Sequence, residues 1–123
     1  MGNIQITIAA GDYDRPRPIR PGPVRVGGCD VTYLALDPEE LFFRAIRHQE
    51  FDVCELSFSS YMMQKQRGVG GYTAIPVFLS RAFRHSGIYI RTDRGIEGPA
   101  SLAGKTIGLP EYQITANVWI RGM

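Results

Sequence analysis

Hydrophobic and polar residues alternate strictly near the start of the chain, where residues 4–8 read Ile-Gln-Ile-Thr-Ile. A period of two predicts a β-strand with one face buried. The strand continues through two alanines to Gly11, which predicts a turn at that point. Asp12 therefore lies at the carboxyl end of the first predicted strand.

The pattern then changes to a second strand and a helix. Residues 31–36 are mostly apolar and predict the strand, and Asp37-Pro38 with two glutamates after it is typical of a helix start. The helix is expected to end near His48. Its apolar positions recur at helical spacing, so one face is expected to pack on a sheet; these positions are Leu41, Phe42, Ala45 and Ile46.

A third strand is predicted over residues 51–56, followed by a second helix that starts at the serines of residues 57–60. Backbone amides and hydroxyls at a helix start can receive a carboxylate oxygen, so Ser59 and Ser60 are candidate ligand-binding residues. Serine is also an ordinary helix cap, and that alternative stays open. The glycines of residues 68–71 are expected to end this helix.

The rest of the chain contains further apolar runs. Residues 74–79 predict another strand, and residues 102–110 begin a strand-to-turn unit. A last helix is expected to open with Glu111, Tyr112, Gln113 and Thr115. Residues 15–23 are rich in proline, so they predict a stiff, extended connector rather than a helix or a central strand.

Alternating strands and helices predict an α/β fold with a parallel or mixed sheet flanked by helices. In such folds, ligands bind beyond the carboxyl ends of the strands. Three segments follow predicted strands, so one crevice is expected to gather them; they are residues 11–12, 57–60 and 81–85.

Two guanidiniums and an imidazole fall within the five residues Arg81 to His85, with Arg84 between them. Arginine binds carboxylates through two parallel hydrogen bonds, and histidine changes protonation near neutral pH. The segment therefore predicts a pocket that holds and protonates an acidic ligand. A surface loop with solvated charges is the alternative.

Composition narrows the possible partners. The chain has 123 residues, 44% hydrophobic and 21% charged, as in an ordinary globular protein. The net charge is only +2, and the arginines of the chain are scattered along it. Both features argue against nucleic acid as a partner. No apolar run is long enough to cross a membrane and no leader pattern precedes the first strand, so a cytoplasmic protein without membrane contact is expected.

Metal and redox motifs are not indicated. Cys29 and Cys54 are isolated, and neither forms a pair or a cysteine–histidine cluster with zinc-like spacing. No metal ligand is therefore assigned, and the sequence leaves open whether the site depends on a metal ion or on another cofactor.

Several stretches of the chain together resemble the 4,5-dihydroxyphthalate decarboxylase family. They include Gly-Asp-Tyr-Asp-Arg at 11–15, Phe-Asp-Val-Cys-Glu-Leu-Ser at 51–57, Ser-Arg-Ala-Phe-Arg-His-Ser at 80–86 and Gly-Leu-Pro-Glu-Tyr-Gln at 108–113. The motifs extend over essentially the whole chain. Shorter matching stretches lie at 42–45, 74–78 and 88–91.

The resemblance implies a fold like that of the type II periplasmic binding proteins, in which two α/β lobes close on a ligand. Because members of the family are more than twice as long, residues 1–92 are expected to form the first lobe and residues 93–123 the truncated start of a second. A homo-oligomer is expected, because unpaired sheet edges recruit partners.

The resemblance also implies decarboxylation of a dihydroxylated aromatic dicarboxylate in phthalate catabolism. From residue chemistry we expect Arg81 and Arg84 to hold carboxylates and His85 to deliver a proton. Asp12 or Glu111 assists deprotonation of a substrate hydroxyl. Four further residues are predicted to bind substrate, namely Ser59, Ser60, Tyr112 and Gln113.

Two other interpretations remain at this point. A binding module of the substrate-binding-protein type would capture a small carboxylate in the same crevice without chemistry. A truncated product would have no function of its own, because catalysis needs a closed site that excludes water and half a cleft is open.

Overall fold

The computed structural model describes residues 2–20 and 22–123, and the chain divides into two compact units. The first unit ends at Arg81, and the second comprises Ala82–Met123. All the strands of the described residues lie in the first unit.

Three strands form the sheet of the first unit: β1 is Ile4–Ala10, β2 is Cys29–Ala35 and β3 is Val53–Cys54. Their order is β2-β1-β3, and β1 pairs in parallel with both neighbours. The register runs from Ile4 opposite Cys29 to Ala10 opposite Ala35. The predicted α/β class is therefore confirmed.

The helices of the described residues are α1, Pro38–His48, α2, Phe58–Gln66, and α3, Thr115–Gly122. Helix α1 starts as predicted, with Asp37 at the cap position, Pro38 in the first turn and two glutamates after it. Its end is set by Gln49, whose φ of 50° lies in the left-handed region and which returns its backbone N–H to the carbonyl of Ala45.

The core of the first unit forms where α1 packs on the centre of the sheet. Ala9 of β1, Leu41 and Ala45 of α1, and Phe51 before β3 are buried together. The apolar face predicted for α1 is therefore the face that it buries. Partly buried residues complete the core, namely Leu34, Leu36, Phe42, Cys54, Leu56 and Tyr72.

Two of the predicted strands are wrong. Residues 74–79 and 102–110 contain no strand, and Ile75, Val77 and Phe78 of the first segment are exposed. An apolar run becomes a strand only when another strand supplies hydrogen-bond partners, and no described strand pairs with either segment. Pro76 also has no N–H to give to a ladder.

Two other predictions need adjustment. The third strand is Val53–Cys54, much shorter than residues 51–56. The proline-rich segment is not extended throughout, because Arg17–Ile19 forms a short 3₁₀ helix that has a proline near its start. Pro21 of this segment lies outside the described residues. The described strands pair only in parallel, so the sheet seen here is not mixed.

The second unit contains short 3₁₀ turns and α3. The turns are Arg84–Gly87, Thr92–Arg94 and Pro99–Leu102. The first of these turns packs against α3. The last helix was predicted to open with residues 111–113 and Thr115, and it begins at Thr115.

We expect Leu41→Ala to lower the free energy of unfolding by about 2–5 kcal/mol, because Leu41 is completely buried and the truncation leaves a cavity in the core. Phe43→Ala is the matched control on the same helix, since its side chain is 55% exposed. Urea unfolding of both variants tests this. Equal losses for the two would show that α1 does not pack as described.

Tyr72 should make the stability of the first unit sensitive to alkaline pH. Its hydroxyl donates to the carbonyl of Phe51 at 3.0 Å, and burial raises the pKa of Tyr72 from 10.0 to about 12. A raised folded-state pKa gives a contribution that is complete below pH 10 and is lost as the pH rises towards about 12. Tyr72→Phe should therefore show a shallower alkaline decline in unfolding free energy, and an unchanged decline would contradict this.

Candidate functional site

Gly11 connects all three strands at the carboxyl edge of the sheet. Its backbone N–H donates to Oε2 of Glu55 at 3.1 Å, just beyond β3, and its carbonyl accepts a long hydrogen bond of 3.5 Å from the hydroxyl of Tyr33 in β2. Gly11 itself directly follows β1 and is buried. We call Gly11, Asp12, Tyr13, Arg20, Tyr33 and Glu55 the Gly11 cluster.

Tyr13 and Glu55 form the side of the cluster nearest β3. The hydroxyl of Tyr13 donates to Oε1 of Glu55 at 3.2 Å, so one carboxylate holds both the turn after β1 and the phenol beyond it. The ring of Tyr13 lies back over Gly11, where an added Cβ would come within 2.7 Å of the ring. Glycine is therefore required for this close approach.

Asp12 and Arg20 form the side nearest β2. The Arg20 guanidinium donates to Oδ1 of Asp12 and lies 5.7 Å from the ring centre of Tyr33. Arg17 also approaches Asp12, at 3.8 Å, and pairs with Asp14 at 3.0 Å. Burial raises the pKa of Tyr33, so its phenol stays protonated well above neutral pH.

The predicted serines lie where α2 begins. Ser57 occupies the cap position, and its hydroxyl lies 3.3 Å from that of Ser59. Ser60 is only 3% exposed, and within the described part of the chain its Oγ is buried without a hydrogen-bond partner. A buried hydroxyl without a partner is costly, so this position is chemically unusual.

Arg81 is the last residue of the first unit. Its side chain is exposed, and its guanidinium lies 5.9 Å from the ring centre of Phe78. The segment before it is attached to the proline-rich loop, because Arg15 donates from Nη1 to the carbonyl of Leu79 at 2.6 Å.

Arg84 and His85 belong to the second unit, in the 3₁₀ turn Arg84–Gly87. Arg84 is half-buried and His85 exposed, and the imidazole lies 6.3 Å from the ring of Phe83. The turn is closed by the hydroxyl of Ser86, which donates to the carbonyl of Phe83 at 2.8 Å.

The segment from Glu111 to Gln113 is fixed to α3. Asn117 is buried and donates from Nδ2 to the carbonyl of Glu111 at 2.5 Å. Arg121 lies 3.6 Å from the ring centre of Tyr112 and donates to the carbonyl of that residue at 3.1 Å. Because the turn that carries Arg84 and His85 also packs on α3, this helix organises both predicted segments of the second unit.

The structure thus sorts the predicted site residues by unit. Asp12, Ser59, Ser60 and Arg81 lie in the first, and the other five lie in the second. Sequence reasoning missed four members of the Gly11 cluster, namely Tyr13, Arg20, Tyr33 and Glu55. The signal for Tyr13 and Glu55 was available, since both lie where predicted strands end, whereas Arg20 belongs to a segment interpreted only as a connector.

Among residues 2–20 and 22–123, no three His, Cys, Asp or Glu side chains are grouped as metal ligands. Over the same residues, no helix has the length and apolar character needed to span a bilayer.

Replacing Gly11 by alanine should displace the Tyr13 ring and break its hydrogen bond to Glu55. We expect Gly11→Ala to lower the free energy of unfolding by about 1 kcal/mol, the usual value of one such bond. Gly27→Ala is the control, because nothing lies within 4 Å of its added Cβ. In a Tyr13→Phe background the Gly11→Ala loss should shrink, and an equal loss in both backgrounds would contradict the proposed role of the bond.

No protein-family model matches the chain. Comparison with curated proteins does find relatives, and it gives 55% identity over 121 residues to a 4,5-dihydroxyphthalate decarboxylase of Comamonas testosteroni. A protein of the same name from Pseudomonas putida is also 55% identical over 121 residues. The match covers 98% of this chain but 37% and 47% of the two relatives. The resemblance predicted from the sequence motifs is therefore confirmed: almost this whole chain is similar to part of the 4,5-dihydroxyphthalate decarboxylases, and it spans less than half of their length.

Proposed function

We propose that this chain contributes to the decarboxylation of 4,5-dihydroxyphthalate, as a carboxy-lyase of phthalate catabolism or as a part of one. The observation that supports this most directly is the 55% identity to two proteins of that name over 98% of the chain. Since the chain spans 37% and 47% of those relatives, the complete active site is proposed to need residues beyond the matched region.

The chemistry sets what the site must supply. One carboxylate leaves as carbon dioxide, its bonding electron pair stays on the ring carbon, and that carbon takes up a proton. A hydroxyl para to the leaving carboxylate can feed electrons into the ring. The site therefore needs cations or N–H groups for two carboxylates, a proton donor for carbon and an acceptor for the hydroxyl proton.

In the first unit we assign substrate binding to Ser59, Ser60 and Arg81. The buried hydroxyl of Ser60 supports this assignment, because a ligand oxygen would give it the hydrogen bond that the described residues do not. Asp12 is assigned to the hydroxyl end of the reaction. Its contacts with Arg17 and Arg20 would hold the carboxylate in one orientation for that task.

In the second unit His85 is the proposed proton donor and Arg84 the proposed carboxylate ligand. The exposure of His85 suits a group that exchanges protons with solvent between turnovers. Glu111, Tyr112 and Gln113 are proposed to complete the site, with Glu111 as a second candidate for proton transfer. The attachment of Glu111 and Tyr112 to α3 would let that helix fix the substrate-facing segment.

The larger architecture stays a prediction. A fold of the type II periplasmic-binding-protein kind, with residues 1–92 as the first lobe and 93–123 as the start of a second, would put the ligand between lobes. Homo-oligomer formation is proposed because unpaired sheet edges recruit partners. A cytoplasmic location is also proposed. A binding module without catalysis is the other candidate, and it is not favoured, because both relatives are named as decarboxylases.

The proposed function can be tested with a chimera, in which this sequence replaces the 121 matched residues of the Comamonas testosteroni enzyme. We expect the chimera to convert 4,5-dihydroxyphthalate to 3,4-dihydroxybenzoate, measured by chromatography and by released carbon dioxide. A folded chimera that binds the substrate but releases no carbon dioxide would favour the binding module. A folded chimera that does not bind it would refute the proposal.

Within that chimera, His85→Gln should lower kcat by at least about 10²-fold while binding survives, because proton delivery to carbon is lost. His48→Gln is the matched control, since His48 lies at the end of α1 against the ring of Phe43. Wild-type turnover in the His85 variant would exclude its role as proton donor.

A further inference from the structure

Tyr13 is not among the site residues predicted from the sequence, but its position in the structure is unusual. It is half-buried at the carboxyl edge of the sheet, three residues beyond the buried end of the central strand. Together with Asp12, Asp14 and Arg15 it lines an open depression on the surface of the first unit. Ligands of parallel α/β sheets bind at this edge, so the phenol lies where a ligand is expected.

Glu55 determines what Tyr13 can offer to a ligand. The phenol proton is donated to Oε1 of Glu55 at 3.2 Å, and Oε2 of the same carboxylate is anchored by the backbone N–H of Gly11 at 3.1 Å. With its proton committed to a carboxylate, a tyrosine hydroxyl presents its oxygen as a hydrogen-bond acceptor.

This restriction has a chemical consequence for the substrate. A carboxylate has no proton to give and would meet the Tyr13 oxygen as acceptor against acceptor, whereas a phenolic hydroxyl can donate to it. Sites that pair a ligand hydroxyl discriminate strongly against analogues without one, because the buried partner is otherwise left unpaired.

We propose that Tyr13 is a specificity-determining residue that accepts a hydrogen bond from a ring hydroxyl of the substrate, and that Glu55 is the residue that positions it. The proposal rests on the proposed function for the identity of the substrate. It assigns the Tyr13 side of the first unit to the hydroxyl end of the ligand. The carboxylates are then recognised by other groups.

Tyr13 and Glu55 are 42 residues apart along the chain, so they come into contact only when the sheet folds. Glu55 is held next to β1 by its own backbone N–H, which donates to the carbonyl of Ala9 at 2.9 Å. Tyr13 is therefore fixed relative to the strands themselves, as precise recognition requires.

The test compares two probes by calorimetric titration of the 123-residue chain: 4,5-dihydroxyphthalate and phthalate, which lacks the hydroxyls. We expect the chain to bind the dihydroxylated probe at least about fivefold more tightly, and Tyr13→Phe to remove that preference without changing the affinity for phthalate. Tyr72→Phe is the matched control. It also removes a hydrogen-bonded phenol hydroxyl from the first unit, but one that donates to Phe51, before β3.

Glu55→Gln separates positioning from a merely structural role. It should reduce the preference for the dihydroxylated probe in the wild-type chain and have no further effect on it in Tyr13→Phe, because both changes act through one contact. A preference that stays at the wild-type level in Glu55→Gln would overturn the positioning role. Thermal unfolding of each variant identifies any that fail to fold.

The remaining outcomes separate this inference from the proposed function. If the chain binds both probes and Tyr13→Phe keeps the preference, or if the wild-type chain shows no preference, the inference is overturned while carboxylate binding stands. Equal weakening of both probes by Tyr13→Phe would also overturn it, since the role would then be structural. If the wild-type chain binds neither probe, the inference and a self-sufficient substrate site fall together, while the chimera still tests the decarboxylase assignment.

Discussion

The parallel pairing of β1 with both of its neighbours is the interaction on which the first unit depends. Carbonyls of Ala9 and Ala10 accept backbone N–H groups from Glu55 and Leu36, so the chain segments after β2 and β3 are attached to the same end of the central strand. Once these bonds form, Ala9 is buried under α1 and the carboxyl ends of the strands meet at one edge. The core and the Gly11 cluster are two results of the same pairing.

Each of the two carboxylates at that edge has specific partners. Asp12 is contacted by Arg17 and Arg20, and Glu55 is satisfied by the Gly11 amide and the Tyr13 phenol. The cluster therefore consists of oriented dipoles and ion pairs. Groups held in this way lose little conformational entropy when a ligand binds, which suits them to recognition.

The second unit follows a different principle, because its described residues contain no strand and much of its apolar surface is exposed. Its order comes from α3, where Asn117 and Arg121 hold the carbonyls of Glu111 and Tyr112. Local hydrogen bonds to one helix are enough to position those residues. They do not bury a core of the size seen around Leu41, and exposed aromatic side chains such as Phe83 and Tyr89 are the consequence.

The sequence alone determined those features whose causes are local. The alternation in residues 4–8 specified β1, and Asp37-Pro38 specified the start of α1, because cap chemistry and side-chain periodicity act within a few residues. Tertiary structure decided the rest. Residues 74–79 and 102–110 had strand-like patterns but no partner strand, since hydrogen-bonded ladders are non-local. For the same reason, the contacts of Gly11 and Tyr13 with Glu55 could not be read from the order of residues. These residues are 42 to 44 positions apart along the chain, and the pairing of the strands brings them together.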